Sequence, residues 1–496
     1  MYLSRLFAVL IPVIVVAQTS PSTSVERRFA EIRKSPPELY AFLLAMPKGA
    51  DLHNHLTGAV YAETYLRAAA EDGLCIELKT HSLLAPPCGE NTVGAAQALT
   101  NNTLAGQVID SLSMRDFSAG GESGHDHFFA AFAKFGGQRP SRRGEFVAEV
   151  VRRAAAQNES YLELMTINGN SVNSLGTRVG LDGDFAATKE KLMANGLADA
   201  VKQLSGTVNE LDQSTRAALG CDAEPRSAPC QVTLRHMYQV TREAPKEQIF
   251  AQILAGLMLA ASDTRVAGIN FVQPEDGVTA MRDYHLQMQM LDYGKHLYPN
   301  VHVSLHAGEL APGVVPPEGL RFHIREAVEL GHAERIGHGV SVMYESGANH
   351  LLELMKQRHV LVEINLTSND AILGVRGQQH PFPVYRRHGI PVALSTDDEG
   401  VSRSHLTEEF ERAVLTYGLS YADLKEMVRN SLEYSFLPGA SFWREHSFRQ
   451  PNPLCAGRTR SNPCRAFLEA NEKARLQADL EERFLAFERS ILGQRR

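Results

Sequence analysis

Nothing after the first 17 positions of this 496-residue chain approaches about 18 uninterrupted apolar residues, so no later segment has the pattern of a membrane-spanning helix. Positive charge is not in excess either. Lys and Arg number 50 against 57 Asp and Glu, a net charge of −7, which leaves sequence-independent nucleic-acid binding without its usual electrostatic basis. The chain lacks GxxxxGK[ST], GxSxG, HExxH and an HxE paired with PCxxC, and with them four common catalytic architectures. CxxC spacings, long linkers and internal repeats are also missing. The one tryptophan, Trp443, lies outside every motif below and reads as packing.

What is present is ordinary globular composition, 44% apolar and 22% charged. Residues 1–17 form the exception: Arg5, an apolar run from Leu6 to Val16 broken only by Pro12, then Ala17 with Val15 two positions before it. This is the pattern of a cleavable signal peptide. The six cysteines fall into close pairs, Cys75/Cys88, Cys221/Cys230 and Cys455/Cys464, each in a polar segment containing Pro or Gly. We expect three local disulfides and a secreted or periplasmic protein, although six cysteines allow 15 connectivities.

Beyond a polar extension (18–45), β-rich runs alternate with helix-period segments. Strands are expected near 49–54, 160–166, 231–237, 265–272, 301–307, 334–338, 360–366 and 391–396. Between them, 145–156 and 246–261 carry apolar residues at helical spacing. Eight such units predict an α/β fold, a (β/α)₈ barrel over 46–440. Residues 75–140 read as an insertion at the barrel mouth. Helices over 405–417 and 421–436 complete the barrel, and 441–496 form a helical extension with the Cys455/Cys464 loop and a terminal helix over 466–491.

Four short motifs fall at expected strand ends. In Asp51-Leu52-His53-Asn54-His55 the two histidines share one strand face. His306 begins His306-Ala307-Gly308-Glu309, His338 sits between Gly337 and Gly339, and Asp397-Asp398 close Ser395 to Asp398. The C-terminal strand ends of a barrel converge, so His53, His55, His306 and Asp397 would form one Zn²⁺ site per chain. A carboxyl beside the metal but not bound to it is a proton donor, the role expected of Glu309. His338 would hold or deprotonate the attacking water, its flanking glycines leaving room for substrate, and Asp398 would accept a hydrogen bond from substrate.

Taken in this order, the motifs resemble the adenosine deaminase family of metal-dependent aminohydrolases. The disulfides, N-terminal extension and insertion are similar to the extracellular adenosine deaminase-related growth factor group. The resemblance implies a barrel with one Zn²⁺ that deaminates adenosine or 2′-deoxyadenosine, Glu309 protonating purine N1, His338 positioning hydroxide and Asp398 meeting N7. Thr57 stands where the family commonly has an acidic ribose contact. Gln273 stands about where it has a glycine whose amide meets N3. Both are expected substrate contacts; Glu163, at the end of the second strand, reads equally as a ribose contact or as a buried structural carboxylate. No Arg or Lys falls at a strand end, which disfavours nucleotides. Alternatives are an aminohydrolase for adenine or a modified adenosine, and a non-catalytic extracellular nucleoside-binding or signalling protein. The expected partner is a small purine nucleoside; homodimerisation stays open.

Overall fold

Strands of a parallel barrel are covered on both faces, so they read as nearly continuous apolar runs, and all eight expected runs become strands of one sheet. The computed structural model describes residues 21–117, 121–456 and 461–493; the expected signal peptide lies outside them. The strands are β1 (Gly49–His55), β2 (Glu159–Asn168), β3 (Thr233–Thr241), β4 (Val266–Val272), β5 (His302–Ala307), β6 (Arg335–His338), β7 (Leu361–Ile364) and β8 (Val392–Leu394). They lie parallel in sequence order. A bridge between Asn54 and Asp397 joins the last strand end to the first. There the His55 N–H donates to Asp397 O at 2.9 Å and the Asp397 N–H to His53 O at 2.8 Å.

Helices pack outside. In Lys246–Ser262 the expected face, Ile249, Phe250, Ile253, Leu254 and Leu257, is buried. Arg143–Ala156 likewise buries Phe146, Val147, Val150 and Val151. β7 stops at Ile364 because Asn365 begins the helix Leu366–Leu373. All three disulfides form as nearest neighbours: Cys75–Cys88, Cys221–Cys230 and Cys455–Cys464.

The insertion after β1 builds a three-stranded antiparallel sheet and two helices, Asn102–Ser111 and Gly124–Lys134. The second of these helices packs on Leu366–Leu373, at the C-terminal end of β7. The polar extension is helical: Pro21–Ile32 and Pro36–Ala45 are helices, and Phe29 and Phe42 pack against Tyr421. A second elaboration, helices Asn170–Val179, Phe185–Ala194 and Leu197–Leu219, follows β2. It escapes sequence reading because Asn170–Val179 and Leu197–Leu219 have the amphipathic pattern of ordinary barrel helices. The terminal helix is divided at Asn471 into Asn462–Ala470 and Glu472–Gly493, the Asn471 Oδ1 accepting from the Ala440 N–H at 2.7 Å. Among the described residues no helix is long and apolar enough to cross a membrane.

Candidate active site

The strand ends bring His53, His55, His306 and Asp397 together. His306 Nε2 lies 3.0 Å from the Nε2 atoms of both His53 and His55, and Asp397 Oδ1 lies 3.3 Å from each. Four donors held around a zinc-sized cation at 2.0–2.1 Å stand ~3.3 Å apart in a tetrahedron, so the spacing fits such a group. Each donor is also aimed. His53 Nδ1–H donates to Glu363 Oε2 at 2.7 Å and His306 Nδ1–H to Asn270 Oδ1 at 2.8 Å, which leaves both Nε2 lone pairs facing the centre. Ser368 Oγ donates to Asp397 Oδ2 at 2.6 Å and frees Oδ1 for the same centre.

The electrostatics call for a cation. Burial opposes charge on His53, but Asp397 and Glu363 outweigh it and hold its pKa up at about 10. Burial and the neighbouring imidazoles push His306 well below the usual histidine range. Three imidazoles crowded on one carboxylate thus share a single positive charge poorly as a proton and well as a central divalent ion.

Glu309 sits beside this cluster on a loop that Glu275 holds. Glu275 accepts from the Gly308 N–H at 3.0 Å, the Glu309 N–H at 2.7 Å and His323 Nδ1–H at 2.6 Å. Burial, Asp397 and Glu275 push the Glu309 carboxyl well above the usual range, which favours its protonated form. Its Oε1 is buried without a hydrogen-bond partner.

His338 is buried, and its Nε2, also without a partner, lies 3.8 Å from Asp397 Oδ2. Burial pushes its pKa down to about 3. The flanking glycines do not make room for substrate as expected. A Cβ on Gly337 would fall 2.5 Å from His53 Cε1, and one on Gly339 would fall 2.4 Å from the Tyr385 hydroxyl; both glycines exist to let these rings approach. His338 at φ +70° and Asp397 at φ +62° hold left-handed backbone that non-glycine residues avoid, a cost of about 1–2 kcal/mol each, stored where strands end at the site.

Asp398 starts the short helix Glu399–Ser402, yet its side chain caps nothing. Burial and Asp397 push it well above the usual carboxylate range, and its Oδ1 is buried and unpartnered. Its raised carboxyl faces the cavity, where the expected substrate contact would be.

These groups face a cavity of about 350 Å³ lined by His55, His306, Glu309, Asp397 and Asp398, together with Thr57, Gln239, Gln273 and Phe128, Phe129 and Phe132. Among the described residues no Arg or Lys lines it. A larger cleft of about 540 Å³ lies between the inserted helix Phe185–Ala194 and the helix Val278–Leu297, and contains none of the expected site residues. The three phenylalanines come from the insertion, and sequence reading missed them. Gln273 keeps a glycine-type backbone, φ +80°, while its Oε1 accepts from the Glu243 N–H at 3.0 Å and its side-chain amide remains for the cavity.

Glu163 does not join them. It is buried in the barrel interior, bonded to Arg335 Nη2 at 2.5 Å, the Phe436 N–H at 2.6 Å and the Tyr161 hydroxyl at 2.9 Å. A buried Arg claims its charge, so it is a structural partner and not a substrate contact. Glu363, Asn270, Ser368 and Glu275 also escaped sequence reading. For Glu363 and Asn270 a signal existed: a lone polar residue within an apolar strand must be paired inside the fold.

Comparison with known proteins agrees with this geometry. Residues 145–441 match the family model described as adenosine deaminase. An adenosine deaminase of Clostridium perfringens is 38% identical over 135 residues, 27% of this chain and 37% of that protein. One of Serratia proteamaculans is 29% identical over 237 residues, 43% of this chain and 68% of that protein. The chain thus spans little over a third of the first relative's length. Among solved structures, adenine deaminase from Arthrobacter aurescens superposes with a TM-score of 0.53 at 17% identity, covering 88% of this chain and 98% of its own. An Arabidopsis N6-mAMP deaminase gives 0.53 at 20%, covering 80% and 95%. A Burkholderia ambifaria amidohydrolase with bound Zn gives 0.53 at 18%, covering 90% and 94%. At these identities the structures speak for the barrel alone.

Proposed function

This chain belongs to the adenosine deaminase family, and from that premise we propose that it is a zinc-dependent hydrolase converting adenosine or 2′-deoxyadenosine, with water, to inosine or 2′-deoxyinosine and ammonia. The observation that carries the reading is the buried Glu309 carboxyl, its Oε1 without a hydrogen-bond partner, beside the His53/His55/His306/Asp397 cluster in one cavity. A zinc ion bound by those four residues would supply a water acidified to a pKa near 7.

The chain's own residues account for the remainder. Glu309 gives its proton to purine N1, which draws electrons from C6 as water adds there. Asp398, whose carboxyl burial and Asp397 push upward, meets purine N7. His338 presents its Nε2 to the oxygen of the attacking water. Phe128, Phe129 and Phe132 cover the cavity and limit bulk water. The new C6–O bond forms and the C6–N bond breaks; one proton of the water passes to the amino group, which leaves as ammonia, the other restores Glu309, and the proton that Glu309 gave stays on N1 of the product.

The cavity's lack of Arg and Lys supports an unphosphorylated substrate. Thr57 and Gln273 leave free adenine or a modified adenosine as the second reading. The test is ammonia release from adenosine, 2′-deoxyadenosine, adenine and AMP, with zinc content measured and Glu309→Ala as control. Turnover of the nucleosides, abolished in the control at equal zinc, supports the proposal. Zinc binding with turnover of adenine or AMP alone overturns the substrate, and zinc binding with no ammonia from any of them supports the non-catalytic binding reading. Export is proposed on the three disulfides and tested by N-terminal sequencing of the product outside the cytoplasm. The likeness to the growth factor group rests on the same features.

A further inference from the structure

The Phe382 N–H belongs to the first turn of the helix Phe382–His388 and has no partner within that helix. It donates to His380 Nδ1 at 3.1 Å. A backbone amide can only donate, so His380 Nδ1 must accept, and the neutral ring then carries its proton on Nε2. Burial supports the neutral ring by pushing the His380 pKa down to about 4.

His380 Nε2 lies 3.0 Å from Asn369 Oδ1. The N–H donates there, which fixes the orientation of the Asn369 amide and turns its Nδ2 toward His338 Nδ1 at 2.8 Å. An amide nitrogen also only donates. His338 Nδ1 must therefore accept, and its proton resides on Nε2. The Asn365 amide approaches the same atom at 3.4 Å, too long to compete. Asn369, His380 and His338 are all fully or almost fully buried, so water has no access with which to reverse this order.

We propose that His380 and Asn369 are positioning residues that lock His338 in its Nε2–H tautomer, with that N–H facing the His53/His55/His306/Asp397 cluster. Direction is transmitted from a helix amide, through two side chains, to an imidazole whose Nε2 has no other partner. His338 is in consequence a hydrogen-bond donor to the oxygen that enters the cavity. It does not arrive as a base, because the nitrogen facing the cavity is already protonated.

The kinetic part of the test rests on the deaminase reading; the spectroscopic part does not. Protein labelled with ¹⁵N-histidine, with His338 identified by its loss in His338→Gln, reports the tautomer directly. Wild type is expected to show the neutral Nε2–H form. Asn369→Asp keeps the shape but replaces the donor by an acceptor, so His338 is expected to gain a proton on Nδ1. If adenosine is the substrate, kcat falls ~100-fold with KM within about threefold, as for a wrongly held catalytic imidazole. His380→Gln can still donate to Asn369 and keeps kcat within about fivefold, whereas His380→Leu loses as much as Asn369→Asp. An Nδ1–H form in wild type, or an unchanged tautomer in both Asn369→Asp and His380→Leu, overturns the proposal. Should Asn369→Asp fail to fold, the His380 pair decides it. The expected tautomers without deaminase turnover would uphold the relay and discard the proposed function.

Discussion

Glu363 Oε2 receives the Nδ1–H of His53 at 2.7 Å, and its Oε1 lies 2.7 Å from Nε of the buried Arg335. Arg335 in turn binds Glu163 and stacks on Phe436 at 3.7 Å. One ligand of the proposed metal is thus held by a chain of charges running down the barrel interior. Burial alone would raise the Glu363 pKa, but Arg335 and His53 reverse this and keep it below the usual range.

Glu363→Gln removes the charge that aims His53 while keeping the volume. Metal affinity is expected to fall ~10- to 100-fold, the usual effect of losing a partner behind a ligand, read by competition with a chromogenic chelator. Unchanged affinity would mean that His53 needs no such support.

Glu309→Gln removes the proton donor and keeps the shape. The expectation is a loss of ~10²- to 10⁴-fold in kcat with metal content and Tm unchanged. A variant with more than about a tenth of wild-type kcat would remove Glu309 from the mechanism.

Phe129→Ala opens the wall contributed by the insertion. Losing roughly 1.5 kcal/mol of apolar contact is expected to raise KM about tenfold with kcat within about twofold. Steady-state kinetics on adenosine separates the two.

Gln273→Gly relieves a left-handed backbone at φ +80°. Glycine bears no such strain, so stability in urea is expected to hold or rise by up to about 1 kcal/mol, while KM increases through loss of the side-chain amide. A marked drop in stability would show that the bond to Glu243 outweighs the strain.

His125, at the start of the helix Gly124–Lys134, pairs with Asp276 at 3.1 Å, three residues past Gln273. Asp276 and Asp126 outweigh burial and raise its pKa from 6.5 to about 9. A raised pKa means the contact is fully present below pH 6.5 and is lost as pH rises through about 9. Proteolysis within 121–140 is therefore expected to quicken between pH 6.5 and 9.5. Asp276→Asn should be fast throughout, and a flat profile in wild type would dismiss the latch.

Much of the barrel was legible because parallel strands covered on both sides demand runs such as Val266–Val272, in which every residue is buried. The histidines of the candidate metal cluster were legible because alternation on β1 places His53 and His55 on one face. Glu163 stayed open because a strand carboxylate looks the same whether it meets substrate or a buried arginine 172 positions away. The phenylalanines of Gly124–Lys134 were silent, since a lid helix is as amphipathic as any other.

The sequence by itself determined the strand count, the close spacing of the cysteines and the order in which the candidate donors appear, because periodicity and short-range spacing are local. Only the tertiary structure decided which cysteines join, which carboxyls are pushed above their usual range, that Gly337 and Gly339 serve ring packing, and which way the amides of Asn369 and Asn270 point. Those outcomes depend on burial and on partners from distant strands, and a side chain's charge and direction are set by what surrounds it.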